Sequence, residues 1–179
     1  MDGELIENRV VIWDVEDSKV LFSKGYYGKP LGIPKPKGIQ FEAPLILDLI
    51  ESYYLKKKKE LRIHKNGKEI SLKTIKEICT KQYEEFELKY IVFNDLRDKG
   101  YVVSPGIKFG CDFAVYEHGP GIDHAPFLVQ ILKKDQALTA TNIVLAGRLA
   151  TTVKKQFIIA VPRIKDRHVE FIGFDWWRA

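Results

Sequence analysis

Two periods alternate along this chain. Short apolar runs of strand type come first: Arg9-Val-Val-Ile-Trp-Asp and Lys19-Val-Leu-Phe, joined by the polar Val15-Glu-Asp-Ser, predict a small antiparallel hairpin within residues 5–22. Apolar residues at 46, 47, 49, 50, 53 and 54 then predict a helix over residues 43–55, with Pro44 near its first turn. A short strand at 61–64, a turn at Asn66-Gly67 and a short helix opened by Ser71 follow. From Gln82 the pattern is helical again. Tyr83, Phe86, Tyr90, Phe93 and Leu96 recur at three- and four-residue steps, an aromatic stripe that reads as core packing, and Lys99-Gly100 stops it. The rest predicts strands at 101–107, 110–116 and 126–132, a helix at 139–155 with Ile143, Ala146, Leu149 and Val153 facing inward, and strands at 156–162 and 168–174. This order predicts a small N-terminal α+β domain over residues 1–82, followed by a C-terminal mixed β-sheet with packed helices over 83–179, in the α+β or α/β class. No internal repeat or low-complexity tract interrupts it.

One stretch fits neither period. Residues 24–40 hold four glycines, three prolines and four lysines, which rules out a helix or a central strand. They read as a long loop displaying Lys29, Lys35 and Lys37, either a solvated connector or a basic arm that touches phosphates. The net charge of +5 and pI near 9.0 fit a polyanionic partner, although Lys56-Lys-Lys-Lys59 reads as a solvated helix end. The two cysteines, Cys79 and Cys111, lack CxxC spacing and suggest neither a disulfide scaffold nor zinc. There is no apolar run of membrane-spanning length and no signal-peptide pattern at the start, so a cytoplasmic protein is expected.

The chemistry concentrates between Phe109 and Leu132, read as strand, loop, strand. Gly119, Pro120 and Gly121 break the extended run, leaving Tyr116 at the loop entrance and His124 at its exit. A tyrosine and a histidine braced by two strands can exchange protons with a substrate. The pair lacks a positive charge for a developing anion, and Lys155, at the end of the following helix, is the candidate. Taken singly each residue has a bland reading: a loop histidine, a strand-end tyrosine, a helix-end lysine. His118 competes with His124, while His64 and His168 read as surface strand positions. No carboxylate cluster suits two-metal catalysis.

Three motifs carry a resemblance. Gly110-Cys-Asp-Phe-Ala-Val-Tyr116, then Asp123-His124-Ala-Pro-Phe-Leu-Val129, then Arg148-Leu-Ala-Thr-Thr-Val-Lys-Lys155-Gln-Phe-Ile-Ile-Ala160 resemble the archaeal tRNA-splicing endonuclease family, of the crenarchaeal-like subgroup. The resemblance is strong over residues 83–162 and weaker before them. It implies cleavage of precursor tRNA at bulged exon–intron junctions, needing no metal or cofactor and leaving a 2′,3′-cyclic phosphate and a 5′-hydroxyl. Carried over by motif, Tyr116 is the general base, His124 the general acid and Lys155 the residue that stabilises the phosphate. Lys154 is a neighbouring basic residue, and Arg148 matches an arginine that stacks on a bulge base.

Two departures refine the expectation. Self-sufficient members carry an acidic loop after the His124 strand, whereas here Leu132-Lys-Lys-Asp-Gln-Ala137 has one acid and two lysines. A related structural subunit is therefore expected to supply that loop, in a heterotetramer of two catalytic and two structural chains. The loop at 28–38 resembles an extra basic loop of the crenarchaeal subgroup, which points Lys29, Lys35 and Lys37 at RNA backbone. The adjacent Trp176-Trp177 suggests a subunit contact. The alternatives are a non-catalytic structural subunit of the same assembly and an RNA-binding module without chemistry.

Overall fold

The computed structural model describes residues 1–34, 36, 38–122, 124–152 and 154–174, with the side chains of 145 and 149–152 left out. The chain divides into two compact units, Met1–Phe86 and Glu87–Ala179. Among the described residues no helix is long and apolar enough to cross a membrane.

The first unit is a mixed sheet with helices. β1 (Asp2–Ile6) and β2 (Arg9–Ile12) form the N-terminal hairpin. The run expected to be its second strand, Lys19-Val-Leu-Phe, instead lies in helix α1 (Val15–Gly25). The reason is the cap: the Asp14 side chain accepts from the Asp17 N–H at 2.8 Å, and Ser18, Leu21 and Phe22 bury one helical face. β3 (Lys29–Pro30) is a two-residue edge strand inside the stretch expected to be loop, pairing with Ile46 and Leu45 of β4 (Leu45–Asp48). The helix expected over 43–55 is therefore half strand. It turns at Asp48, whose side chain and that of Glu51 form a capping box that opens α2 (Leu49–Lys57). β5 (Arg62–Lys65) and β6 (Lys68–Glu69) close a hairpin over Asn66 (φ 51°) and Gly67 (φ 74°), and Ser71 caps α3 (Leu72–Gln82). The strand order is β3-β4-β2-β1-β5-β6, with β1 and β5 parallel.

The second unit follows α4 (Phe86–Asp98) with a five-stranded sheet. β7 (Val102–Pro105) gives way to a 3-10 turn at Ile107–Phe109, so the strands expected at 101–107 and 110–116 are each shorter than expected. β8 (Phe113–Tyr116), β9 (Phe127–Ile131), α5 (Ala140–Thr152), β10 (Gln156–Arg163) and β11 (His168–Phe174) complete it. The order is β11-β10-β9-β8-β7, antiparallel except for β9 with β10, which the α5 crossover makes parallel. Strand alternation sorts the sheet into two faces. Phe113 takes the face of α4, with its ring 6.0 Å from Phe93. Ala114, Leu128, Phe157 and Ile159 form the core of the other face, against which Ala146 of α5 packs. Trp176-Trp177 and Val153, which was expected to face inward, lie outside the described residues, and the Leu149 side chain is likewise undescribed.

Candidate functional site

Tyr116 and Lys155 stand at one end of the second unit's sheet, where the loop carrying His124 joins β8 to β9. Val115 pairs with Phe127 across β8 and β9, and Gln156 pairs with Phe127 across β9 and β10. One step towards that end, Tyr116, Pro126 and Lys155 fall in one row, sealed by the Gln156 N–H donating to the Pro126 carbonyl at 2.8 Å. At the usual strand spacing the Tyr116 and Lys155 backbones stand about 10 Å apart across β9. Both residues share the strand parity of the Ala114, Leu128 and Phe157 face, and the half-buried Tyr116 ring packs against that core.

Lys155 reaches inward over the same face. Its ammonium donates to the carbonyl of Ala125, the residue after His124, and stands 5.3 Å from the centre of the Phe109 ring. Among the described residues it makes no ion pair with a carboxylate. Lys154 turns the chain from α5 into β10 with a left-handed φ of 54°, which delivers Lys155 to the start of the strand. The His124 side chain is exposed, in the loop that joins β8 to β9. A half-buried cation and a half-buried phenol thus share one face at this sheet end, with an exposed imidazole in the adjoining loop.

The 106–112 turn supports this site from below. Asp112 closes it: its carboxylate accepts from the Ile131 N–H at 2.8 Å and the Gln130 amide at 2.7 Å, with Lys89 of α4 at 3.3 Å. At Gly106 a Cβ would come within 2.7 Å of the Cys111 carbonyl, so the turn is too tight for any side chain there. Burial pushes the Cys111 thiol up to about 11 and the Cys79 thiol up to about 12, which keeps both protonated and non-nucleophilic. Asp112 and Phe109 have no assigned part in the sequence reading.

The remaining candidates are scattered. Arg148 is exposed on α5, and His118 is exposed just beyond β8. Lys29 stands on the β3 edge of the first unit, where its charge and that of Arg9, 2.9 Å from Asp48, act on the same carboxyl. Lys35 and Lys37 lie outside the described residues. His64 faces Asp2 at 3.7 Å.

Two family models match this chain: the tRNA intron endonuclease N-terminal domain over residues 1–76, and the tRNA intron endonuclease catalytic C-terminal domain over residues 86–171. The chain belongs to the tRNA intron endonuclease family. It is 43% identical over 173 residues to a tRNA-splicing endonuclease of Hyperthermus butylicus, with 96% of each chain covered. It is 41% identical to one of Sulfurisphaera tokodaii and 40% identical to one of Sulfolobus acidocaldarius, each over 177 residues and 98% of both chains. The sheet end just described lies inside the segment matched by the family's catalytic domain, and the chain is accordingly an endonuclease.

Proposed function

We propose that this chain is the catalytic subunit of a tRNA-splicing endonuclease and cuts precursor tRNA at bulge–helix–bulge exon–intron junctions. Tyr116, acting as the phenolate, accepts the proton of the ribose 2′-hydroxyl. The 2′-oxygen attacks the adjacent phosphorus, and the bond from phosphorus to the 5′-oxygen breaks. His124 gives its proton to that leaving oxygen, so the products are a 2′,3′-cyclic phosphate and a 5′-hydroxyl. Lys155 pairs with the phosphoryl oxygens while the phosphorus is five-coordinate. Every atom and charge in the step balances without water or metal.

The observation that carries this reading is the row of Tyr116, Pro126 and Lys155 at one sheet end, with the Lys155 ammonium bonded to the Ala125 carbonyl beside His124. The exposed Arg148 stacks on an unpaired bulge base, and Lys154, Lys29, Lys35 and Lys37 contact the RNA backbone. Lys133 and Lys134 are exposed where self-sufficient relatives carry acids. A structural subunit therefore supplies the acidic loop, in a cytoplasmic heterotetramer of two catalytic and two structural chains.

The test is cleavage of a bulge–helix–bulge RNA in chelator, with and without the structural partner. Wild type with partner yields cyclic-phosphate ends, and His124→Ala slows the step by about 10²- to 10⁴-fold. Full activity in His124→Ala removes the proposed acid; cleavage by the chain alone removes the heterotetramer.

A further inference from the structure

Nothing in the cleavage chemistry requires an aromatic ring besides the Tyr116 phenol, yet the Lys155 ammonium lies 5.3 Å from the centre of the Phe109 ring. A long lysine at a sheet end has many rotamers and a strongly hydrated head. Left alone it samples solvent. Two fixed features narrow that freedom here: the Ala125 carbonyl, which accepts from the ammonium, and the negative face of the Phe109 ring. We propose that Phe109 is a positioning residue for this site, an aromatic shelf that holds the Lys155 ammonium at the His124 loop before the phosphate arrives. The proposal rests on the role given to Lys155 above.

The shelf is built, not incidental. Phe109 packs against the Ala114 and Phe157 core, the same cluster that holds the Tyr116 ring. Gly110, with a left-handed φ of 65°, ends the 3-10 turn directly behind it. The Cys111 thiol donates to the Gly106 and Phe113 carbonyls, and Asp112 pins the turn to β9 through the Ile131 N–H at 2.8 Å. Each tie restrains the backbone that carries the ring. A ring fixed to the sheet by its own turn sets the height of the ammonium above the sheet, independently of α5. Preorganisation of this kind removes the cost of collecting a wandering charge at the moment the phosphate becomes crowded.

The shelf is tested with Phe109→Leu, which keeps apolar volume and loses the ring face, and Phe109→Tyr and Phe109→Trp, which keep it. Single-turnover cleavage by the assembled enzyme falls about 5- to 20-fold in Phe109→Leu and stays within about 2-fold of wild type in the aromatic variants. Affinity for an RNA with 2′-deoxyribose at the cut site, which binds without being cleaved, stays unchanged in all of them. In a Lys155→Ala background, Phe109→Leu has no further effect. A merely structural ring would slow that background too, which would overturn the proposal, as would full activity in Phe109→Leu. Carbon-13 NMR with labelled lysine reads the contact without any substrate: the Lys155 Cε protons are shifted upfield by the ring and move downfield in Phe109→Leu. Absence of that shift overturns the shelf while leaving the endonuclease reading intact. Unchanged cleavage in Lys155→Ala overturns the role of Lys155 and the shelf with it, even where the NMR contact is present.

Discussion

Replacing Asp112 by alanine should cost the second unit more than any surface charge can. Its side chain is 13% exposed, and it accepts from the Ile131 N–H at 2.8 Å and the Gln130 amide at 2.7 Å, with Lys89 a further 3.3 Å away. The ion pair with the part-exposed Lys89 contributes about 0–1 kcal/mol. The larger cost is the half-buried Ile131 N–H, which alanine leaves without its acceptor, at about 1–3 kcal/mol. With the Gln130 bond lost as well, a total of about 3 kcal/mol is expected. That corresponds to a fall in Tm of about 6–12 °C in a chain of this size. Asp112→Asn keeps the shape and one acceptor oxygen and should lose about half as much. Two compact units need not melt together, so the local assay is amide hydrogen exchange: the Ile131 N–H exchanges faster in Asp112→Ala, while amides of β1 and β2 do not. A loss below about 1 kcal/mol, or unchanged exchange at Ile131, would show that water takes over the carboxylate's bonds and that the brace is not one.

Other consequences are as direct. With the thiols pushed up to about 11 at Cys111 and about 12 at Cys79, only about 0.1% of Cys111 is thiolate at pH 8, so an aromatic disulfide reagent should label the native chain far more slowly than the urea-unfolded one; equal rates would refute the burial. Burial raises the Asp48 carboxyl above its ordinary value, so the folded chain binds the proton more tightly than the unfolded one; stability from this group is present at acid pH and is lost as pH rises from the unfolded value of 3.8 through the raised one. The wild type should therefore compare best with Asp48→Asn in chemical denaturation near pH 3.5 and less well at pH 6 (about two and a half units of titration), and the opposite trend would refute it. Asp2, held low mainly by the Arg62 hydrogen bond, has the opposite sign, its contribution being lost as pH falls through its lowered value. Replacing Lys29, Lys35 and Lys37 together by alanine should weaken RNA binding and lower the salt slope by about 2–3, while an unchanged slope would return the arm to a solvated connector.

How much of this was legible in the sequence depended on which force decided each element. The last three strands and α5 read correctly to within a few residues, whereas the 3-10 turn at Ile107–Phe109 shortened the two before them. Lys19-Val-Leu-Phe misread as strand because three apolar residues in a row fit either period; the Asp14 cap and the burial of Ser18 decide for the helix, and a buried serine leaves no hydrophobic signal. The helix expected over 43–55 failed differently. Residues Leu49–Leu55 are buried all round, so α2 shows no polar face, and the Leu45–Asp48 strand runs into it without a change in hydropathy. Only the Asp48 and Glu51 pairing, a capping box with its N-cap acid and its glutamate three residues on, marks the joint. Tyr116, His124 and Lys155 were singled out by their motifs, but the shared row and face of Tyr116 and Lys155 were not legible. They depend on the parallel crossover, which no periodicity announces. Phe109 and Asp112 stayed invisible because their parts are played through another residue's ammonium and another strand's amide.

The register explains why such a site can be assembled from distant residues with so little machinery. Strand side chains alternate faces, so Tyr116 and Lys155 share a face only if β8 and β10 both keep their pairing with β9. A slip of one residue in either strand would send one of the two to the α4 face. What prevents the slip is apolar: Ala114, Leu128, Phe157 and Ile159 must all lie on the α5 side to form their core, and Phe113 must lie on the other to meet Phe93. The same burial that holds the sheet together thus fixes the parity of the phenol and the ammonium. Asp112 and the 106–112 turn then set the one coordinate that parity leaves free, the height of Phe109 beneath Lys155. On this view the polar groups at the sheet end need few partners of their own, because their placement is inherited from a core they do not enter.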